Sequence, residues 1–207
     1  SVITAIAPTY VALDYSASPN LPLPTRWDSA IFDATSWQGP AGIGILAIRN
    51  ATAWKNPLPN LGIRRTPESS SLPLLLASAV ALDAWIKEEE SESLRIKKLN
   101  KTIRDLLLAA NIGITFAGAL ENCISQTIAL VADGCVGEDL VRQLNEINFV
   151  LDSGSACTAA QMQPSHVLAA LGMQSEGNLR ITLHHGVTES EVQELIKALI
   201  SVVQRSR

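Results

Sequence analysis

The chain has 207 residues, 47% of them hydrophobic and 17% charged, with a formal net charge of −4. This balance describes a globular protein long enough for a real core and excludes a disordered chain. With no basic run in the sequence, nucleic acid is an unsuitable partner. The apolar runs, such as 72–82, are too short or too interrupted to span a bilayer, and the N-terminus has no signal-peptide pattern. Cys123, Cys135 and Cys157 form no Cys-x-x-Cys pair and show no metal spacing, so a reducing cytoplasm is the simplest setting.

In chain order, Tyr10 to Asp14 is a short β-prone run ending in a carboxylate. An acid at the C-terminal end of a parallel strand lies where open α/β sheets place their ligands, although the same residue could simply begin the next turn. A second strand and loop are expected over 28–34. A sharp turn follows over 38–44 (Gln-Gly-Pro-Ala-Gly-Ile-Gly), and then a buried strand to Ile48, capped by Arg49. Residues 56–62 read as loop.

From Leu72 the spacing predicts a long helix into the charge run 87–92, with Pro73 tolerated in its first turn. A second helix is expected from Ser93 to Ala110, with Gly113 ending it. Strands are expected over 112–116, 126–131, 149–151 and 179–183, and helices over 137–145, 164–171 and from Thr188 onward. Thr188 with Glu191 three residues later forms a capping box. Arg205 to Arg207 read as a solvated helix end. Adjacent His184 and His185 would point to opposite faces of a strand, which disfavours a two-histidine metal site, and His166 reads as structural. The succession of helices and strands suits a compact α/β domain with a helix-covered sheet.

Cys157 lies in a stretch of small residues, Ser153-Gly154-Ser155-Ala156-Cys157-Thr158. Small residues turn tightly and leave a neighbouring side chain uncovered, so the thiol is a candidate nucleophile. Lone cysteines are more commonly buried and structural. That stretch, followed by Pro164-Ser165-His166-Val167-Leu168-Ala169-Ala170-Leu171-Gly172 and by Leu179-Arg180-Ile181-Thr182-Leu183, resembles the C-terminal part of cysteine desulfurases. These are pyridoxal phosphate (PLP) enzymes of the class V aminotransferase group.

The resemblance implies an α/β fold: part of the large domain of a PLP-dependent transferase (1–70) and a complete small α/β domain (71–207). It implies that Cys157 receives sulfur as a persulfide, that Arg180 binds the substrate carboxylate, and that Asp14 pairs with the protonated pyridine nitrogen of PLP. It further implies a homodimer and a sulfur-acceptor protein as partners, and a place in iron–sulfur cluster assembly.

The sequence also departs from the family pattern. Three residues before the Gly39-Pro40 pair, where the family carries the lysine that holds PLP, stands Ser36, with Thr35 in place of the preceding histidine and Ala17 in place of a ring-contacting glutamine. A Schiff base needs a primary amine, and serine has none. Arg64 and Arg65 only loosely match a family phosphate-contacting segment. The segment that supplies the family's ring-stacking histidine and a phosphate-binding threonine lies before residue 1 in the alignment of motifs and is expected to be missing. Two readings follow: a truncated, nicked or divergent cysteine desulfurase-like protein that does not bind PLP covalently, or a noncatalytic scaffold that retains the fold.

Overall fold

A computed structural model describes residues 10–18, 20–55, 71–119, 121, 123–153, 166–174 and 176–207. Two compact units divide between Glu90 and Ser91. In unit 1, strands β1 (Ala12–Asp14), β2 (Ser29–Asp33) and β3 (Gly44–Ile48) form a sheet in that order. β1 runs parallel to β2, and β3 antiparallel to it. A single 3-10 turn, Ala34–Trp37, follows β2. Gly39 closes the turn by donating its N–H to the Ala34 carbonyl at 2.7 Å. Only glycine fits there, because a Cβ would stand 2.9 Å from that same carbonyl oxygen.

Helix α1 (Leu72–Ala109) is continuous over 38 residues, where two helices were expected. No Gly or Pro occurs between residues 74 and 112, and the charge run supports the helix through pairs such as Asp83–Lys87. Ser91 and Ser93 are weak helix formers, not breakers. The helix gives way at Asn111 (φ 48°) and Gly113 (φ 60°). The first part of α1 belongs to unit 1, where the buried Trp37 indole donates to the Ser78 carbonyl at 3.3 Å. The family domains at 1–70 and 71–207 stand as our proposal.

Unit 2 builds a second sheet, β4 (Ile114–Phe116), β5 (Thr127–Ala132) and β6 (Asn178–Thr182), antiparallel throughout and in that order. Its core joins Ile96, Leu99, Ile103 and Leu107 of α1, at helical spacing, with Ile128 and Leu130 of β5 and Leu179 and Ile181 of β6. Leu140 and Leu144 of α2 (Gly137–Asn145) and the apolar stripe of α4 (Glu189–Arg205) complete it. The capping box at the start of α4 is present in both directions between Thr188 and Glu191.

Two expectations are corrected here, and the first is that β3 would be buried: Gly44, Ile45 and Leu46 are exposed. Residues 149–151 do not form a strand; only Asp152 bridges to β6. The Phe149 N–H is taken by the Leu144 carbonyl at 3.0 Å, and the Asn148 N–H by that of Asn145 at 3.0 Å, with Asn148 left-handed at φ 67°. This is a Schellman closure of α2, and it draws Phe149 away from the sheet edge. The C-terminal end is solvated as expected, with Arg205 and Arg207 both exposed, but it is not free of contacts. Arg207 donates to the Ile112 carbonyl at 2.7 Å and to that of Asp133 at 3.0 Å, tying the chain end to the turns after α1 and β5.

Candidate functional site

The first group of candidate residues lies at the C-terminal edge of the parallel β1–β2 pair in unit 1. Parallel register places Asp14 opposite Ile31, two residues before Asp33, so Asp14, Asp33 and the 3-10 turn share one end of the sheet. Asp14 is exposed and accepts from the Ser16 hydroxyl at 2.6 Å and the Ser16 N–H at 2.9 Å. The hydroxyl contact first, then the backbone one, hold its carboxyl below the usual aspartate value. Asp33 caps the turn in the same way, accepting from the Thr35 hydroxyl at 2.6 Å and N–H at 2.8 Å, and these bonds likewise lower its pKa.

Ser36 donates its hydroxyl to the Asp33 carbonyl at 2.6 Å. The turn is therefore closed by local side-chain bonds at the position where the resemblance puts an amine. An ionised Asp14 suits a protonated ring nitrogen such as that of PLP, but Ser36 supplies no group that could anchor the cofactor covalently, and Ala17 offers only a methyl group. The residues at this edge fit one contact of PLP and not its anchorage.

The second group lies in unit 2. Arg180 is on β6, whose alternation buries Leu179 and Ile181 and turns Arg180 to solvent. Its guanidinium forms an ion pair with Asp152. Cys157, and the small-residue stretch from Gly154 to Ser165 that contains it, lie outside the described residues, as do Arg64 and Arg65. The chain resumes at helix α3 (His166–Ala170). Asp14 and Ser36 are thus brought together in unit 1, while Arg180 belongs to unit 2.

Sequence reasoning missed a cluster that joins α1 to the loop before α4. Arg95 grips Glu92 through two bonds of 2.7 Å and reaches the Val187 carbonyl at 2.5 Å. His185 Nδ1 stands 3.4 Å from Glu92. The Arg95 hydrogen bond is the main cause of the lowered Glu92 pKa, outweighing partial burial. The Glu92-Ser93-Leu94-Arg95 spacing on one helix was the available signal. Sequence could not show that residue 187 returns to it. His184 Nδ1 lies 2.6 Å from the His185 carbonyl, and among the described residues no group of His, Cys, Asp and Glu could hold a metal. Beside β6, where 149–151 diverge, a cleft of about 340 Å³ opens, lined by Phe149, Leu151, Ile181, Leu183, Val192 and Leu195.

A family profile described as Aminotransferase class-V matches residues 26–195. The chain therefore belongs to the class V aminotransferase family, a known class of α/β folds. Its relatives include a cysteine desulfurase of Bradyrhizobium diazoefficiens, 28% identical over 87% of this chain and 47% of the relative. Another is a cysteine desulfurase IscS of Neisseria meningitidis, 33% identical over 78% of this chain and 42% of the relative. The chain spans a little under half the length of these curated relatives.

Among solved structures, one titled NifS-like protein superimposes with a TM-score of 0.79 at 22% identity, covering 95% of this chain and 53% of that one. The apo cysteine desulfurase of Thermococcus onnurineus gives 0.67 at 20% identity over 86% and 48%. The fold is that of a PLP-dependent transferase in part, as the resemblance implied. Among the described residues, no helix is long and apolar enough to cross a membrane.

Proposed function

We propose that this chain is a cysteine desulfurase-like protein that keeps the sulfur-carrying and carboxylate-binding positions, Cys157 and Arg180, but does not hold PLP as a Schiff base. The observation that carries this reading is Ser36, whose hydroxyl is committed to the Asp33 carbonyl at the end of β2. Lys55, in the turn after β3, is on a different segment. Asp14 would contribute one contact to a noncovalently held ring. Sulfur chemistry on this reading is confined to Cys157. Its thiolate attacks the terminal sulfur of a persulfide donor, the donor's inner sulfur leaves as a thiolate, and Cys157 becomes the persulfide. A homodimer and a thiol-bearing acceptor protein are the partners this role calls for, in a reducing cytoplasm.

The test uses the purified chain with added PLP and L-cysteine. Alanine should not form above a protein-free control, whereas a low-molecular-weight persulfide should load one sulfur atom onto Cys157 and none onto a Cys157→Ser variant. Alanine produced at many turnovers would overturn the reading. A second reading, a noncatalytic scaffold, is favoured by the apolar side chains that unit 1 leaves exposed, Ile31, Ile45 and Leu46. Failure of Cys157 to load would leave that reading standing.

A further inference from the structure

The register of β6 gives Arg180 a neighbour of opposite charge. The Arg180 N–H donates to the Asp152 carbonyl at 2.7 Å, and the Asp152 N–H donates back at 3.2 Å. Two residues that exchange both bonds in an antiparallel bridge present their side chains on the same face. On its other side Arg180 pairs with Ala129 of β5, which has no charge to offer. Among the described residues the row Ala129–Arg180–Asp152 leaves the guanidinium one ionic partner, and the Asp152 carboxylate takes it through Nη2. The pair sits on the solvent face of the sheet, with side chains 51% and 40% exposed, within reach of a dissolved carboxylate. Asp152 is also two residues before the Gly154–Ser165 segment that carries Cys157.

We infer that Asp152 sets the carboxylate affinity of Arg180: an internal carboxylate stands in the place of a ligand's, so an amino-acid carboxylate binds Arg180 only by displacing Asp152 or against its charge. The inference rests on the reading of Arg180 as the carboxylate-binding position. It adds a residue that sequence comparison of motifs did not single out. A guanidinium offers five N–H donors in a planar fork, and two carboxylates sharing it repel each other. Removing the Asp152 charge frees both the donors and the field around them.

The experiment uses the full chain, its Asp152→Asn variant, which is nearly isosteric, and Asp152→Ser as a second variant with a shorter side chain. Each is treated with phenylglyoxal, and modification of Arg180 is followed by peptide mass spectrometry with and without L-alanine, an amino acid that carries no thiol. Arg95 and Arg142, paired with Glu92 and Asp139, serve as internal references. Exposed ion pairs are modest, so Arg180 should be modified about two- to fivefold faster in both variants, with the reference arginines unchanged. L-alanine should slow that modification in the variants more than in the parent chain. Equal rates in all three proteins would overturn the inference, as would an acceleration that L-alanine does not slow. The readout involves no sulfur, so it fails or succeeds separately from persulfide loading at Cys157.

Discussion

The two sheets of this protein are each three strands wide, yet they treat their apolar side chains differently. In unit 2, Ile128, Leu130, Leu179 and Ile181 are buried to 3% exposure or less, and α1, α2 and α4 supply the cover from within the chain. In unit 1, Ile31 is 46% exposed, Leu46 48%, and Leu72 and Val80 at the start of α1 more than 60%. Unit 2 encodes the apolar surface needed to satisfy its own sheet. Unit 1 has apolar side chains whose cover is not found among the described residues. The candidate residues follow the same division, with Asp14 on the under-covered sheet, Ser36 in the turn that follows β2, and Arg180 on the well-packed sheet.

The largest effect that sharpens this contrast is a cavity in unit 2. Ile103 is fully buried in the core, and Ile103→Ala should cost about 2–5 kcal/mol in denaturant unfolding. Leu46→Ala on the exposed face of unit 1 should cost no more than about 0.5 kcal/mol. Comparable losses at the two positions would show that the Leu46 face is covered in solution.

A smaller effect is expected at the head of α4. Thr188→Ala removes the side-chain half of the capping box and should cost about 1 kcal/mol, measured in the same way.

Acid sensitivity should come next. The Glu92 carboxyl has its pKa lowered by Arg95, below the ordinary 4.5. A depressed folded-state pKa means that the stabilisation is fully present above about 4.5 and is lost as the pH falls through the folded value. Glu92→Gln should therefore be less stable than the parent at neutral pH, and the gap should narrow as the solution is acidified. A gap that stays constant with pH would assign Glu92 a packing role instead.

Cysteine reactivity separates the regions more finely. Cys135 is buried, with its thiol directed to the Val203 carbonyl at 3.9 Å. Cys123 is half-buried beside the Arg104 guanidinium, 3.8 Å away. Limited iodoacetamide labelling should modify Cys157 first, Cys123 next and Cys135 last. Labelling at Cys157 no faster than at Cys135 would remove it as an accessible sulfur site.

Much of this organisation was legible in the sequence, because local patterns carried it. The β-prone run ending at Asp14, the turn-rich 38–44, and the capping box and helix beginning at Thr188 each appear where local pattern and turn chemistry put them. What escaped depended on distant partners or on competition between local options. Serines in a charge run look like a helix boundary, but without Gly or Pro the helix continued. Phe149 has the profile of a strand residue, yet its N–H completes the cap of α2. The Asp152–Arg180 pair follows from register, which single-sequence periodicity cannot fix. Ser36 was readable because a motif supplied its frame, and the closing bond to Asp33 gave the substitution a local structural role.

The central claim is that this chain offers no amine at position 36 to hold PLP. Its direct measurement is incubation of the purified protein with PLP, followed by dialysis, visible absorption, borohydride reduction and peptide mapping, alongside a Ser36→Lys variant. The parent chain should retain no dialysis-resistant aldimine band and no lysine labelled to one equivalent, while the variant gains a reducible label at residue 36. A stoichiometric, reducible aldimine on any one lysine of the parent chain would contradict the account.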